Sequence, residues 1–253
     1  MNRFFYAFLI AFTITAIPAI AQDNSAREVE EVVVTALRKE TNLQDTAITI
    51  TAISAEDMEI KQLENFEDLQ FAVPTLTFGK GAYSGSAISL RGIGNFAVGN
   101  ASSNSIGYFW NGQSASQSGL YEAEFFDVER IEVLRGPQGT LFGSGTTGGA
   151  VQMLTRRPDV DAGGYFKVDV AEYDSTRLSG AFNLPLSDTI RSRFAFASLK
   201  RGGFVTNSYD GNDLDDRNTM SGRMSFEWDY SDNTVISLIY EHTKADDNRL
   251  RAA

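Results

Sequence analysis

Residues Arg130–Pro158 read RIEVLRGPQGTLFGSGTTGGAVQMLTRRP, the densest run of glycines in the chain. Within it Gly143-Ser-Gly145-Thr-Thr-Gly148 is a literal G-x-G-x-x-G, a pattern that in a dinucleotide-binding fold joins a strand to a helix. The flanks decide against that reading. Arg130 to Arg135 alternates as a strand, but the seven residues Gly136 to Phe142 then intervene, too many for the tight turn the fingerprint requires. After Gly149, Val151, Met153 and Thr155 alternate with Gln152, Leu154 and Arg156, which is strand rather than helix periodicity. The stretch is therefore a strand, a glycine loop and a second strand.

Composition narrows the function classes. The 253 residues carry 33 acidic and 22 basic side chains, a net charge of −11, which is the wrong sign for a nucleic-acid partner. There is no cysteine and one histidine, His242, so thiolate sites, zinc clusters and histidine-based triads lack their parts. No cofactor, metal site or catalytic constellation is expected, and His242 reads as an ordinary strand side chain. Residues 1–21, MNRFFYAFLIAFTITAIPAIA, combine Arg3, an apolar run and Ala19-Ile20-Ala21, the layout of a cleavable secretory signal peptide. Cleavage exposes Gln22 and takes the charge from −11 to −12, because Arg3 is the signal's only charged side chain.

Three regions follow. Residues 22–45 form a polar, mobile leader that contains the β-prone run Val32-Val33-Val34-Thr35-Ala36. That run is either the first strand of the next domain or an exposed strand to which another protein adds its own. Residues 46–160 are mixed. A strand over Ala47–Ser54 leads through a Ser54/Asp57 capping box into a helix over Ala55–Leu63, and a second short helix over Phe66–Phe71 stops before Pro74. Strands then recur in TLTFG, SAISLRGIG, SIGYFWNGQ, RIEVLR and AVQMLTR, separated by small-residue loops such as 79–86 and 95–105. This is an α+β domain with its own core.

From Ala162 the strands lengthen to about ten residues, apolar on one face and polar on the other, with short and long connections alternating. Leu178, Gly180, Phe182 and Leu184 alternate with Arg177, Ser179, Ala181 and Asn183; Met220, Met224, Phe226 and Trp228 alternate with Ser221, Arg223, Ser225 and Glu227. Such segments are expected in an outer-membrane barrel, while a soluble sandwich shares much of the pattern.

Four stretches in order now carry a family resemblance: EEVVVTA (Glu30–Ala36), SLRGIGN (Ser89–Asn95), DVERIEVLRGPQGTLFG (Asp127–Gly143) and TTGGAVQMLTRRP (Thr146–Pro158). The chain resembles the N-terminal part of a TonB-dependent outer-membrane receptor. The resemblance implies an α+β plug domain followed by antiparallel strands of an incomplete 22-stranded transmembrane β-barrel. It implies that Glu31, Val32, Val33, Val34, Thr35 and Ala36 bind the periplasmic protein TonB by strand addition. It implies that Arg91 and Arg135 are latches to barrel glutamates, and that Gly136, Gly139, Gly143, Gly148 and Gly149 serve structure, not phosphate binding. The implied partners are TonB, the outer membrane and a scarce small-molecule ligand, by default a ferric siderophore. A soluble periplasmic or secreted plug-like module is the alternative.

The sequence departs from the family's pattern in places. Phe109-Trp110-Asn111-Gly112 replaces an acidic V-D-G, and Ser144 stands where an arginine is common. Twenty-two strands of about ten residues need over ~200 residues, whereas 92 follow Asp161, room for about five strands. The ending NRLRAA also lacks a terminal aromatic. The expectation is an N-terminal fragment or a truncated reading frame.

Overall fold

The computed structural model describes residues 33–34, 41–42, 49–80, 86–94, 105–115 and 121–248. The expected signal peptide, most of the leader, and loop residues 81–85, 95–104 and 116–120 lie outside them. All described residues belong to one compact unit, Val32–Ala253.

Two short strands, β1 (Val33–Val34) and β2 (Thr41–Asn42), pair antiparallel. The first strand of the mixed domain, β3 (Ile50–Ser54), runs into helix α1 (Ala55–Ile60). Ser54 caps the helix, its hydroxyl accepting from the Asp57 amide at 3.1 Å as the capping box requires. The helix stops three residues earlier than its pattern suggests. Gln62 turns left-handed at φ +53, the Gln62 amide bonds Glu59 O at 3.2 Å and the Leu63 amide bonds Met58 O at 2.9 Å. That is a Schellman ending, and Leu63 buries itself beneath it. The second helix, α2 (Leu69–Ala72), starts late for a different reason. Asp68 accepts from the amides of Glu64 and Asn65, and Asn65 accepts from that of Glu67, so side chains take backbone donors that a helix would have used. Burial raises the pKa of the Asp68 carboxyl, against those hydrogen bonds.

A hairpin of β4 (Leu76–Lys80) and β5 (Ser86–Leu90) continues into β6 (Ile93–Gly94). The expected single strand SAISLRGIG is broken by Arg91 and Gly92, both at positive φ, in a two-residue turn. The same device, Asn111-Gly112, joins β7 (Ile106–Trp110) to β8 (Gln113–Ser114). The departure from V-D-G is thus a hairpin turn, and Asn111 also exchanges hydrogen bonds at 2.9 Å with Thr155. The glycine-rich stretch supplies β9 (Val128–Arg135), a short helix α3 (Gly139–Phe142) and β10 (Gly149–Thr155). The central sheet has the order β3-β9-β10-β7-β8; β10 and β7 run parallel and the other neighbours antiparallel.

An aromatic cluster fills the core. Phe66, fully buried, meets Tyr108, Tyr121 and Phe125 at centroid distances of 4.7, 5.6 and 5.3 Å, all edge-on. Burial pushes the Tyr121 phenol up to about 12.

Five long strands follow: β11 (Gly163–Ala171), β12 (Ser175–Ser187), β13 (Ile190–Arg201), β16 (Arg217–Ser231) and β17 (Thr234–Ala245), all antiparallel in that order. The expected loop 202–215 contains a small hairpin of β14 (Val205–Thr206) and β15 (Asp213–Leu214). The faces of this wall are inverted relative to a soluble protein. Arg177, Arg193, Ser221, Arg223, Ser225 and Glu227 are buried, while Phe182, Leu184, Met220, Met224, Trp228, Leu238 and Tyr240 are exposed. Register lines the apolar residues up across the sheet: Phe182 opposes Phe194, Phe194 opposes Met224, and Met224 opposes Tyr240. An apolar outer face over a polar inner one is stable when the outer medium is lipid. Met224→Arg in the intact protein should therefore cost about 2–4 kcal/mol if the position lies near the bilayer midplane. Ser225→Ala, one residue along on the inner face, should change little. Urea unfolding of the membrane-embedded protein checks the pair, and equal effects at both positions would contradict the face assignment.

Candidate functional site

The glycine loop sets the geometry from which the site is built. Gly136 and Gly143 take positive φ where the chain leaves β9 and α3. At Gly148 an added Cβ would sit 2.7 Å from Ile106 Cδ1 and 2.8 Å from Ile93 Cγ2, and at Gly149 it would lie on the Leu134 carbonyl oxygen. The loop therefore packs where side chains cannot fit. Gly139 is different: it opens α3, a Cβ added there would meet nothing within 4 Å, and neither space nor backbone demands a glycine. No phosphate cradle forms, because Gly149 continues into β10 rather than into a helix.

Of the residues expected to bind a partner strand, Val33 and Val34 lie in β1, with Val33 opposite Asn42 and Val34 opposite Thr41. Glu31, Val32, Thr35 and Ala36 lie outside the described residues. The two expected latch arginines belong to different sheets. Arg91 is exposed in the β5–β6 turn, its amide bonded to Thr75 O at 2.8 Å, and it makes no ion pair among the described residues. Arg135, at the end of β9, donates from Nη2 to Thr51 Oγ1 on β3, and its Nε is buried without a hydrogen-bond partner.

The structure places its charged contacts elsewhere, on the seam between the mixed domain and the wall. Arg193 of β13 grips Asp127 with two bonds, Nη2 to Oδ1 at 2.5 Å and Nε to Oδ2 at 2.8 Å. Both side chains are almost wholly buried, so each charge relies on the other for its solvation. Tyr165 of β11 donates to the same carboxylate at 3.5 Å. Arg223 of β16 donates to the carbonyls of Phe126 and Asp127 at 3.2 and 3.4 Å and to Glu241 at 2.7 Å. Its guanidinium also lies 4.2 Å over the Phe126 ring and 5.6 Å from the centre of the Trp110 ring. Arg177 of β12 donates to the Phe125 carbonyl at 3.2 Å and pairs with Glu124 and Glu64. Further out, Arg157 pairs with Glu227 at 2.6 Å and Lys167 with Glu59 at 3.3 Å.

The sequence pattern places Arg177 and Arg223 on a polar strand face without assigning them partners. Inward arginines on adjacent strands do signal a need for buried counter-charge, but the partner, Asp127, is 66 residues before Arg193. No local pattern connects the two. The residues around this seam bring together cations, carbonyls and carboxylates, which suits holding and releasing one body against another.

Comparison with known proteins puts this geometry in context. Residues 42–150 match the family model described as the TonB-dependent Receptor Plug Domain. The pesticin receptor of Yersinia pestis is 27% identical over 175 residues, covering 68% of this chain and 26% of that protein. A ferric enterobactin receptor of Pseudomonas aeruginosa is 30% identical over 190 residues, covering 68% of this chain and 25% of that protein. The chain thus spans about a quarter of the length of these curated relatives. Among solved structures, the ferric yersiniabactin uptake receptor FyuA from Yersinia pestis superposes with a TM-score of 0.68 at 23% identity, over 79% of this chain and 32% of that one.

Proposed function

We propose that this chain, which belongs to the TonB-dependent outer-membrane receptors and carries their plug domain, is the N-terminal part of an energised importer. The observation that carries the reading is the inverted wall: five strands, polar where they meet the plug and apolar where they face away. A soluble module would have to leave those apolar rows in water. We divide the chain into a signal peptide (1–21), a leader (22–45), the plug (46–160) and the first barrel strands (161–253).

In this reading the protein does no bond chemistry. The plug occludes the barrel, and a scarce ligand arriving from outside binds the apex of the plug and the barrel wall. The outer membrane has no nucleotide supply, so work must come from the inner membrane. TonB delivers it by adding a strand to the Glu31–Ala36 segment, and the valines there favour that paired form. Arg91 and Arg135 act as latches when the remaining barrel strands bring carboxylates to them. The names of the relatives, receptors for ferric enterobactin and ferric yersiniabactin among them, support a ferric siderophore as the ligand class.

The test is accumulation of iron-55 delivered on catecholate, hydroxamate and phenolate siderophores by cells with the full-length gene or its deletion. Uptake of one class should require the gene and vanish on adding an uncoupler, while binding to chilled cells persists. Gene-dependent accumulation that survives the uncoupler would reject energised import.

A further inference from the structure

The segment Glu124-Phe125-Phe126-Asp127 does something that neither the family match nor the importer reading assigns. Three adjacent wall strands each send one arginine to it: Arg177 from β12, Arg193 from β13 and Arg223 from β16. Between them they hold two carboxylates, three backbone carbonyls and one ring face. Phe126 packs on the small inward residues Ala181, Ala195 and Ala197, a recess that larger side chains would fill. Phe125 points the other way, onto Phe66 in the plug core. Asp127 sits at φ +50 immediately before β9, an unfavourable backbone for a non-glycine residue, at the point where its carboxylate reaches Arg193.

We propose that residues 124–127 are the plug's anchor on the barrel wall: the last segment to part from it, holding position while the sheet above rearranges. The proposal rests on the importer reading for its purpose but on the seam alone for its substance. Its polarity is the reverse of the expected latch, since the wall contributes the arginines and the plug the carboxylates. Among the described residues the other plug–wall ion pairs each keep a charge in water. Lys167 and Glu59 are both exposed, Arg177 meets half-exposed Glu64, and exposed Arg157 meets a buried Glu227 that keeps Arg191 at 3.4 Å when they part. Those lose little on parting. Parting Asp127 from Arg193 strands two buried charges at once. The plug sheet can therefore open locally at less cost than the anchor can release.

These 253 residues contain no cysteine, and with any cysteine elsewhere in the full-length receptor replaced by serine, one introduced thiol reports alone. Ala195→Cys places it beneath Phe126 and Ala150→Cys places it in the plug sheet; both positions are buried and both replacements are small. The full-length receptor in outer-membrane vesicles is exposed to graded urea and pulsed with maleimide. At the urea concentration that opens Ala150→Cys, Ala195→Cys should still label at least about tenfold more slowly. Adding Asp127→Asn should abolish that difference, and Arg193→Gln should do the same from the wall side. Ala197→Cys repeats the measurement one inward position along β13 if Ala195→Cys assembles poorly. The proposal is overturned if the recess thiol labels with or before Ala150→Cys, or if both charge-removing variants leave its protection intact. None of these measurements uses ligand or TonB. Failure of the uptake assay would therefore sink the importer and leave the anchor standing, and the converse holds too.

Discussion

Gly149→Val should prevent the plug from reaching its native packing, while Gly139→Ala in the same loop should be nearly silent. Both replace a glycine of one motif, but their surroundings differ. Gly149 has φ +146, a backbone that L side chains rarely adopt, and an added Cβ would meet the Leu134 carbonyl oxygen and, at 2.7 Å, Leu90 Cδ2. Leu134 and Leu90 are both essentially inaccessible to solvent, and Leu134 is held in the β9 ladder from both sides. Neither can retreat. Backbone strain of about 1–3 kcal/mol adds to overpacking of about 1–3 kcal/mol, a large share of the roughly 5–15 kcal/mol that stabilises a domain. At Gly139 the space is open, and alanine in a helix limits the unfolded chain, so a gain of about 0.4–1 kcal/mol is expected. Limited proteolysis of the plug in membrane-assembled receptor separates the cases. Comparable resistance for the two variants would show that the loop is not closely packed at Gly149.

That contrast shows where the sequence is legible. Alternation marks the wall strands because their two faces meet different media. It also marks β9 and β10 although both their faces are buried, Ile131, Val133, Val151 and Met153 in the aromatic core and Leu134 and Ala150 against Phe109 and Phe142. The capping box at Ser54 is readable because it is local. The left-handed turn at Gln62 is not, since nothing in its neighbourhood demands positive φ from a glutamine. Nor is α3, whose four residues are too few for helical periodicity to show. The G-x-G-x-x-G can be dismissed from its flanks, yet only the packing distinguishes Gly149 from Gly139. The seam lies furthest from view. Arg193 and Asp127 meet because the wall folds back over the plug, a relation set by topology and by long-range register. The resemblance points instead to Arg91 and Arg135, of which Arg135 is bonded to Thr51 of its own sheet.

Val33→Pro in the full-length receptor should abolish energised uptake while changing ligand affinity by less than about twofold, since the import proposal puts the leader on the periplasmic side and the ligand on the outer one. In the structure Val33 opposes Asn42 in β1–β2, a two-residue pairing with little ladder to lose. On the import proposal a partner strand arriving in the periplasm would compete for the same backbone groups, so the segment would exchange one pairing for another. Proline removes the amide donor of residue 33 and resists the extended ladder. Losing one or two hydrogen bonds of about 1 kcal/mol each, together with proline's poor fit inside a ladder, weakens capture by at least ~10–100-fold. On the import proposal capture is the step through which work reaches the plug, so transport should fall with it. Val33→Ala keeps the donor and gives up only β-propensity, about 1 kcal/mol or less, and should retain most of the rate. Initial rates of iron-55 accumulation and equilibrium binding to de-energised cells, measured on the same strains, decide the matter. Parental uptake by Val33→Pro would remove Val33 from the coupling segment, and a parallel loss of binding would place it in the receptor's fold instead.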